Sequence, residues 1–196
     1  MLRSGGAELA APVIDPICAL YDEVFAQPPF AWRDDEPALH RARLTTLLDN
    51  PTFGVVLATD GPQLTGFGYG FTLAPDTKRW TQLSPPLPSP QSEEWPGRTF
   101  VLFDFAVRAS HRGRGLGQAI HDRLLGSRAE ERATLTVQPT AVATKAIYQH
   151  WGWRPVGTLI GGPTAAAPVF DAYLRDTLAD LSRPDRAPRM RPSPPP

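Results

Sequence analysis

The stretch TFVLFDFAVRASHRGRGLGQAIHDRLL, residues 99–125, carries the strongest structural signal in this sequence. Its first nine residues are almost all apolar and β-favouring, which is typical of a strand covered on both faces. Residues 118–128 then place apolar side chains at helical spacing. The stretch therefore predicts a strand, a glycine-rich loop and a helix.

The loop of this unit is Arg112-Gly113-Arg114-Gly115-Leu116-Gly117. The first N–H groups of a helix have no internal partner and lie at the positive end of its dipole, so such a loop can bind an anion. The spacing excludes a P-loop, which ends in Gly-Lys-Ser/Thr, and a dinucleotide fingerprint, in which Gln118 would be the third glycine. A tight turn without a ligand is the alternative, and the two arginines favour phosphate.

Periodicity predicts alternating helices and strands around this unit. Predicted helices cover residues 16–26, 37–48, 118–128 and 140–150, with Asp15 as the cap of the first. Predicted strands cover residues 53–59, 64–73, 99–107, 133–137, 153–158 and 169–174. This order predicts an α/β protein with a mixed sheet.

One predicted strand has an unusual face. Residues 66–71 alternate glycine with an aromatic residue, so one face of the strand has no side chains. Such a face admits close approach of a ligand or of another backbone. Occupation by a packed helix or aromatic ring is the alternative, and it is the favoured one.

The 23 prolines divide the chain. Residues 81–97 hold too many of them for a helix or a central strand, so we predict a long loop. Residues 183–196 combine six prolines with four arginines and almost no apolar side chains, which predicts a disordered tail. The remaining residues, 1–182, are predicted to form a single domain.

Composition limits the class of protein. Twenty basic residues balance twenty acidic ones, which excludes a strongly basic nucleic-acid binder. No run is long and apolar enough for a membrane helix, and the N-terminus has no signal core. With Cys18 as the single cysteine, these features predict a cytoplasmic protein without membrane contact. The excess of arginine over lysine is typical of a GC-rich bacterial genome.

Two motifs resemble the GCN5-related N-acetyltransferases (GNAT). The family signature Arg/Gln-x-x-Gly-x-Gly/Ala matches Arg112, Gly115 and Gly117, between a strand and a helix as expected. Independently, residues 148–153, YQHWGW, match the family pattern of a helix-ending tyrosine followed by glycine and an aromatic. The resemblance covers roughly residues 7–174. It implies a mostly antiparallel mixed sheet flanked by helices, with a V-shaped splay between the family's fourth and fifth strands.

The resemblance also implies acetyl-CoA as a co-substrate. No metal is predicted, because the four histidines show no ligand spacing. The pyrophosphate of acetyl-CoA would lie on the N–H groups of the segment Arg112, Gly113, Arg114, Gly115, Leu116, Gly117 and Gln118. Pantetheine would bond to the backbone of Phe105, Ala106 and Val107, where an N–H would also stabilise the developing oxyanion. Tyr148 would donate a proton to the departing thiolate as general acid.

Two positions depart from the family. Ala141 stands where many relatives have an asparagine that contacts pantetheine, so cofactor binding here lacks or replaces that contact. Thr136 stands where the ribosomal-protein acetyltransferases have a glutamate base, so that assignment has no support here.

The general base is the least defined part of the site. A primary amine has a pKa near 10.4, so its proton must be removed before attack. Asp104 is the one ionisable residue in the strand 99–107, and it either serves as the base or binds a buried partner. Glu23 is a second candidate, with a solvated surface position as its alternative.

The acceptor side shows an acidic bias. Six acidic residues against one arginine between positions 15 and 36 suit a small cationic amine, although helix caps would also explain them. The aromatic residues Phe30, Trp32, Trp80 and Trp95 are predicted to line this pocket, with the proline-rich loop as part of its wall. The function predicted is acetyl transfer to a primary amine by a monomer or homodimer. A catalytically inactive acyl-CoA sensor is the alternative.

Overall fold

A computed structural model describes residues 1–181, so the predicted tail lies outside the described residues. Seven strands form one sheet in the order β1-β2-β3-β4-β5-β7-β6. The strands are β1 Leu2–Gly5, β2 Gly54–Asp60, β3 Gln63–Thr72, β4 Thr99–Val107, β5 Arg132–Val137, β6 Arg154–Ile160 and β7 Val169–Arg175. The helices are α1 Ala7–Ala10, α2 Ile14–Phe25, α3 Glu36–Leu48, α4 Leu116–Gly126 and α5 Val142–His150. The sequence therefore predicted the α/β class, the mixed sheet and ten of these twelve elements to within two residues at most ends.

The N-terminus differs from the prediction. β1 and α1 are four residues each, too short to show a periodic pattern, and β1 is held at the sheet edge by pairing with β2. α2 begins at Ile14 after a short 3₁₀ turn, so Asp15 lies inside its first turn and caps nothing. The predicted cap was wrong because residues 7–13 already form helical turns that lead directly into α2.

The sheet is antiparallel except at its centre, where β4 and β5 run parallel. Their pairing covers only Thr99–Arg132, Phe100–Ala133 and Val101–Thr134. From Leu102 onward the two strands separate, which confirms the V-shaped splay. The backbone groups of β4 that face β5 are thus left without a ladder partner beside the opening.

A bulge changes the register of β4 beside the splay. Tyr69 pairs with Asp104 but Gly70 pairs with Leu102, so Phe103 is the extra residue. A bulge bends its strand and re-aims the side chains that follow. Phe103 is 37% exposed, and Asp104 and Phe105 are only partly buried. The expectation that β4 is covered on both faces fails over these three residues, since they face the splay.

The bare glycine face of β3 is filled by protein. A Cβ on Gly66 would lie 2.7 Å from Cδ1 of Ile120, and one on Gly68 would lie 2.8 Å from a ring carbon of Phe105. Ile120 belongs to α4, so the glycines allow this helix to pack closely on the sheet. The packing alternative for this face is therefore the correct one.

The proline-rich segment 81–97 forms a long loop, as predicted, that closes the narrow end of the V. Leu83 and Leu87 pack with Trp80 against Leu174 of β7. The Trp80 indole N–H donates to Glu94 Oε2 at 2.9 Å, and the same oxygen lies 3.3 Å from Arg132 Nη2 at the start of β5. Because Leu83 and Leu87 complete this apolar cluster, the loop stabilises the sheet at the closed end of the V.

Candidate active site

The splay opens into a cavity of about 1330 Å³. Its walls are the separated parts of β4 and β5, the start of α4, one side of α5, the segment 21–30 and the connection between β6 and β7. Gln138, just after β5, accepts a hydrogen bond from the Ala31 amide at 2.6 Å and so links the two sides of the cavity. The cavity is continuous from the glycine-rich loop to the helices on the opposite face of the sheet.

The glycine-rich loop presents free donors at one end of this cavity. Among the described residues, none accepts a hydrogen bond from the backbone N–H groups of residues 113–118. Gly113 and Gly115 have φ of 73° and 78°, and Gly115 is the N-cap of α4. This arrangement suits the diphosphate of acetyl-CoA, because the free N–H groups and the helix dipole both favour an anion.

The predicted cofactor-contacting residues are not equally placed. Phe105, Ala106, Val107, Arg112, Gly113, Gly115, Gly117, Gln118 and Ala141 line the cavity. Arg114 does not, and Leu116 packs into the core beneath α4 instead. Arg112 donates from Nε to the Val107 carbonyl at 2.9 Å, so its side chain fixes the loop to the end of β4.

Replacement of Gly115 by alanine tests the loop. An L-residue at this positive φ costs about 1–2 kcal/mol. The free loop relieves this strain by leaving the anion-binding conformation and must regain it on binding, so acetyl-CoA affinity is expected to fall by up to about 5–30-fold. Gly97→Ala is the matched control, because Gly97 has φ of 81°, no atom near its Cβ position and no place in the cavity wall. Titration calorimetry should show equal affinity for Gly97→Ala and the parent protein. Equal losses in both variants would contradict the assignment.

Tyr148 lies in the cavity wall on α5 and is 7% exposed. Its ring contacts Trp151 and Trp153 edge-on, with centroid distances of 5.9 Å for each. Burial raises the pKa of the Tyr148 hydroxyl well above its ordinary value, and the nearby Asp104 charge adds to the effect. The hydroxyl therefore stays protonated at neutral pH and can donate a proton.

Asp104 also lines the cavity, on the bulged part of β4. Its Oδ2 accepts a short hydrogen bond from the hydroxyl of Tyr69, while its Oδ1 has no partner among the described residues. Burial raises the pKa of Asp104 to about 6, and the Tyr69 hydrogen bond opposes this only partly. The sequence left two alternatives for Asp104, a general base or a carboxylate with a buried partner. The structure agrees with both, because Asp104 bonds Tyr69 and also lines the cavity with one oxygen unbonded.

His40 completes a hydrogen-bonded chain behind Asp104. Its Nε2 lies 2.9 Å from the Tyr69 oxygen. Since the single Tyr69 hydroxyl hydrogen goes to Asp104, we assign the hydrogen of this contact to Nε2 of His40. Burial lowers the pKa of His40 to about 3, so the ring is neutral and holds Tyr69 without adding charge. The chain fixes the orientation of the Asp104 carboxylate.

Glu23 also lines the cavity, at its outer edge. Its carboxylate forms an ion pair with Arg108 and is 41% exposed. No hydrogen bond connects it with Asp104 in the described part of the chain. Its placement fits a solvated surface ion pair better than a base.

The acidic bias between residues 15 and 36 is largely neutralised within the fold. Four of its carboxylates pair with arginines: Asp15 with Arg41, Glu23 with Arg108, Asp35 with Arg33, and Glu36 with Arg43. Paired carboxylates attract a cationic ligand weakly. The acidic border predicted for a cationic acceptor is therefore not supported.

Of the four predicted pocket aromatics, only Phe30 lines the cavity. Trp32 packs against the α2–α3 core, Trp80 is 1% exposed in its own cluster, and Trp95 stacks on Arg98 with 3.9 Å to the ring centroid. Trp80, Trp95 and residues 81–97 do not line the cavity, so the structure gives no support to their prediction as the acceptor wall. The loop lies at the closed end of the V, where Leu83 and Leu87 are buried among apolar side chains.

Sequence reasoning missed several residues of the site. Tyr69 and His40 act on Asp104 through pairing of β3 with β4 and packing of α3, which no local pattern reveals. Arg79 and Phe103 also line the cavity. The alternating aromatics of residues 66–71 were the one available signal for Tyr69.

Within residues 1–181, no three His, Cys, Asp or Glu side chains form a group that could hold a metal ion. No helix in this part of the chain combines the length and apolarity needed to cross a membrane.

Comparison with known proteins gives the family. The model of the acetyltransferase (GNAT) family matches residues 17–153. No curated protein matches the sequence. Solved structures agree with this chain in fold, and the three described next are each 14% identical to it.

An acetyltransferase of the GNAT family from Desulfovibrio desulfuricans superposes with a TM-score of 0.62, covering 91% of this chain and 99% of its own. Aminoglycoside 6'-acetyltransferase type Ii gives 0.61 over 91% and 97%. An acetyltransferase from Salmonella typhimurium, solved with its cofactor acetyl-CoA, gives 0.55 over 95% and 98%. The family model matches more than half of this chain, and the chain also has both motifs and the splayed sheet. This chain therefore belongs to the GNAT family of acetyltransferases.

Proposed function

We propose that the protein transfers an acetyl group from acetyl-CoA to a primary amine by direct attack within a ternary complex. The observation that carries this proposal is that two proton-transfer groups line one cavity. Asp104 has a pKa raised to about 6 and a free oxygen, whereas Tyr148 keeps its proton at neutral pH. Their environments separate a base from an acid, as acyl transfer to an amine requires.

Acetyl-CoA supplies the acetyl group as a thioester. The amine nitrogen forms a bond with the carbonyl carbon as the carbon–sulfur bond breaks. Asp104 Oδ1 takes one proton from the bound ammonium before attack and passes it to solvent. It takes the second proton as the amide forms, while Tyr148 Oη gives its proton to the departing sulfur. Solvent at the open mouth then returns each residue to its starting state. Direct transfer gains from holding both reactants in one site.

The residues present fit the co-substrate in three ways. Six consecutive N–H donors are free where its diphosphate would bind. Unpaired backbone of β4 lies along the splay, where pantetheine would bond like an added strand. Ala141 is fully buried at the N-cap of α5, so the asparagine contact of relatives is replaced here by apolar packing.

Titration calorimetry with acetyl-CoA, followed by thiol release against a panel of primary amines, tests the proposal. We expect saturable binding and release of one thiol per acetylated amine. Absence of binding would exclude any CoA-dependent role. Binding without turnover on any amine would instead favour the inactive acyl-CoA sensor.

A further inference from the structure

Arg79 is a cation in the cavity wall without a counter-ion. Its Nε donates to Thr134 Oγ1 at 3.3 Å, and its Nη2 is buried without a hydrogen-bond partner. Among the described residues, no carboxylate lies within 4 Å of it. Burial lowers the pKa of Arg79 to about 10, which leaves the guanidinium charged at neutral pH. A buried charge without a partner is costly, so this side chain is suited to a ligand anion.

The other charged residues of the cavity wall are accounted for. Glu23 and Arg43 have ion-pair partners within the fold, and Arg112 belongs to the phosphate-binding loop. Asp104 is held by Tyr69. Arg79 is thus the uncompensated cation on the side away from the loop.

Arg79 lies on the acceptor face of the sheet. Its partner Thr134 pairs across the strands with Val101 and Leu174, and both of these pack in the cluster around Trp80. The glycine-rich loop and α5 pack on the opposite face, in the cluster with Tyr148 and Ile120. The diphosphate would therefore lie at a different part of the cavity, and it does not explain Arg79.

Apolar side chains connect the region of Arg79 with that of Asp104. Phe71 and Leu159 line the cavity and pack against the cluster around Trp80. The Phe103 ring lies 5.8 Å from the Phe71 ring and 6.3 Å from the ring of Tyr69, the partner of Asp104. Val101, which pairs with the Arg79 partner Thr134, precedes Asp104 by three residues along β4, which is about 10 Å of strand. A ligand that reaches both ends would combine an apolar body, an amine near Asp104 and an anion several bonds from the amine.

We propose that the acceptor is a carboxylate-bearing amine with an apolar body, whose carboxylate binds the Arg79 guanidinium. The planar guanidinium matches a carboxylate through its terminal N–H donors. Neither Nη1 nor Nη2 has a hydrogen-bond partner among the described residues; Nη1 has accessible surface, whereas Nη2 is buried. This inference rests on the proposed function for the role of the amine, but binding of the carboxylate does not depend on catalysis.

Pairs of amines with and without a carboxylate test the Arg79 site separately from acetyl transfer. In 6-aminohexanoate a carboxylate replaces the terminal methyl group of hexylamine, and 4-(aminomethyl)benzoate adds a carboxylate to benzylamine; in both acids the carboxylate is several bonds from the amine. We expect the carboxylated member of a pair to show at least a 10-fold higher kcat/KM in the parent protein. Arg79→Met should remove that preference, and Arg79→Lys should restore part of it. Arg123→Met, which removes a surface arginine bonded to Ser4, controls for loss of a positive charge and should keep the preference.

Hexanoate, which lacks an amine, gives a readout without catalysis. It should bind the parent protein by calorimetry, with affinity at least 10-fold lower in Arg79→Met. If amines are acetylated with equal preference in the parent and Arg79→Met, and hexanoate binds both alike or neither, the inference is wrong while the acetyltransferase function stands. If hexanoate binding depends on Arg79 but no amine is acetylated, the anion site stands and the proposed function fails. Melting temperatures of all variants establish that each is folded.

Discussion

Asp104→Asn is expected to lower kcat/KM for the amine by about 10²–10⁴-fold, with little change in acetyl-CoA affinity. The amide can still accept the Tyr69 hydrogen bond, so the geometry of β4 is retained. It cannot take a proton from the attacking amine. Steady-state kinetics of thiol release, together with calorimetry, measure both quantities.

The pH dependence gives a second measure of the same residue. Burial raises the pKa of Asp104 to about 6, with a smaller contribution from the Glu36 charge. The Tyr69 hydrogen bond and the Arg43 charge act in the opposite direction, and His40 is neutral. In the parent protein, kcat/KM should therefore rise as pH increases through about 6. Because the folded pKa exceeds the unfolded value of about 3.9, unfolding free energy should fall between about pH 4 and pH 6. Asp104→Asn should lose both effects.

Glu23→Gln is the comparison for Asp104→Asn, since it removes the other carboxylate of the cavity wall. Its partner Arg108 is also hydrogen-bonded to the Leu64 carbonyl, so the local structure keeps one restraint. A larger loss of activity in Glu23→Gln than in Asp104→Asn would contradict the assignment of the base.

Tyr148→Phe is expected to lower kcat by about 10²-fold while leaving acetyl-CoA affinity nearly unchanged. The ring keeps its packing against Trp151 and Trp153, so only the proton donor is removed. Tyr173→Phe is the matched control, because Tyr173 is a buried tyrosine that does not line the cavity. A loss of cofactor affinity equal to the loss of kcat would indicate that Tyr148 binds the co-substrate and does not serve as the acid.

The sequence predicted the elements that depend on local pattern. The strand 99–107 and the loop 112–117 were recognisable because β-favouring apolar residues and glycines determine local backbone conformation. The Asp104 chain was not, because Tyr69 and His40 reach it through strand pairing and helix packing. The acceptor wall was assigned to Trp80 and Trp95 from their closeness in sequence to a long loop. Neither tryptophan lines the cavity, because the loop follows the apolar cluster in which Leu83 and Leu87 are buried.

The contacts between the loop 81–97 and the sheet restrict how the two halves of the sheet can move. The two half-sheets, β1–β4 and β5–β7, are joined by three residue pairs at the narrow end of the V. From Val101 to Val107 the free part of β4 spans about 20 Å, so a rotation of about 5° at the joint moves the mouth by about 2 Å. The isolated bridge between Ser84 and Thr158 ties the loop to β6, and the Glu94–Arg132 contact ties it to β5. The loop is thus tied to the strands at the closed end of the V, where a small change in the angle between the half-sheets produces its largest displacement at the mouth.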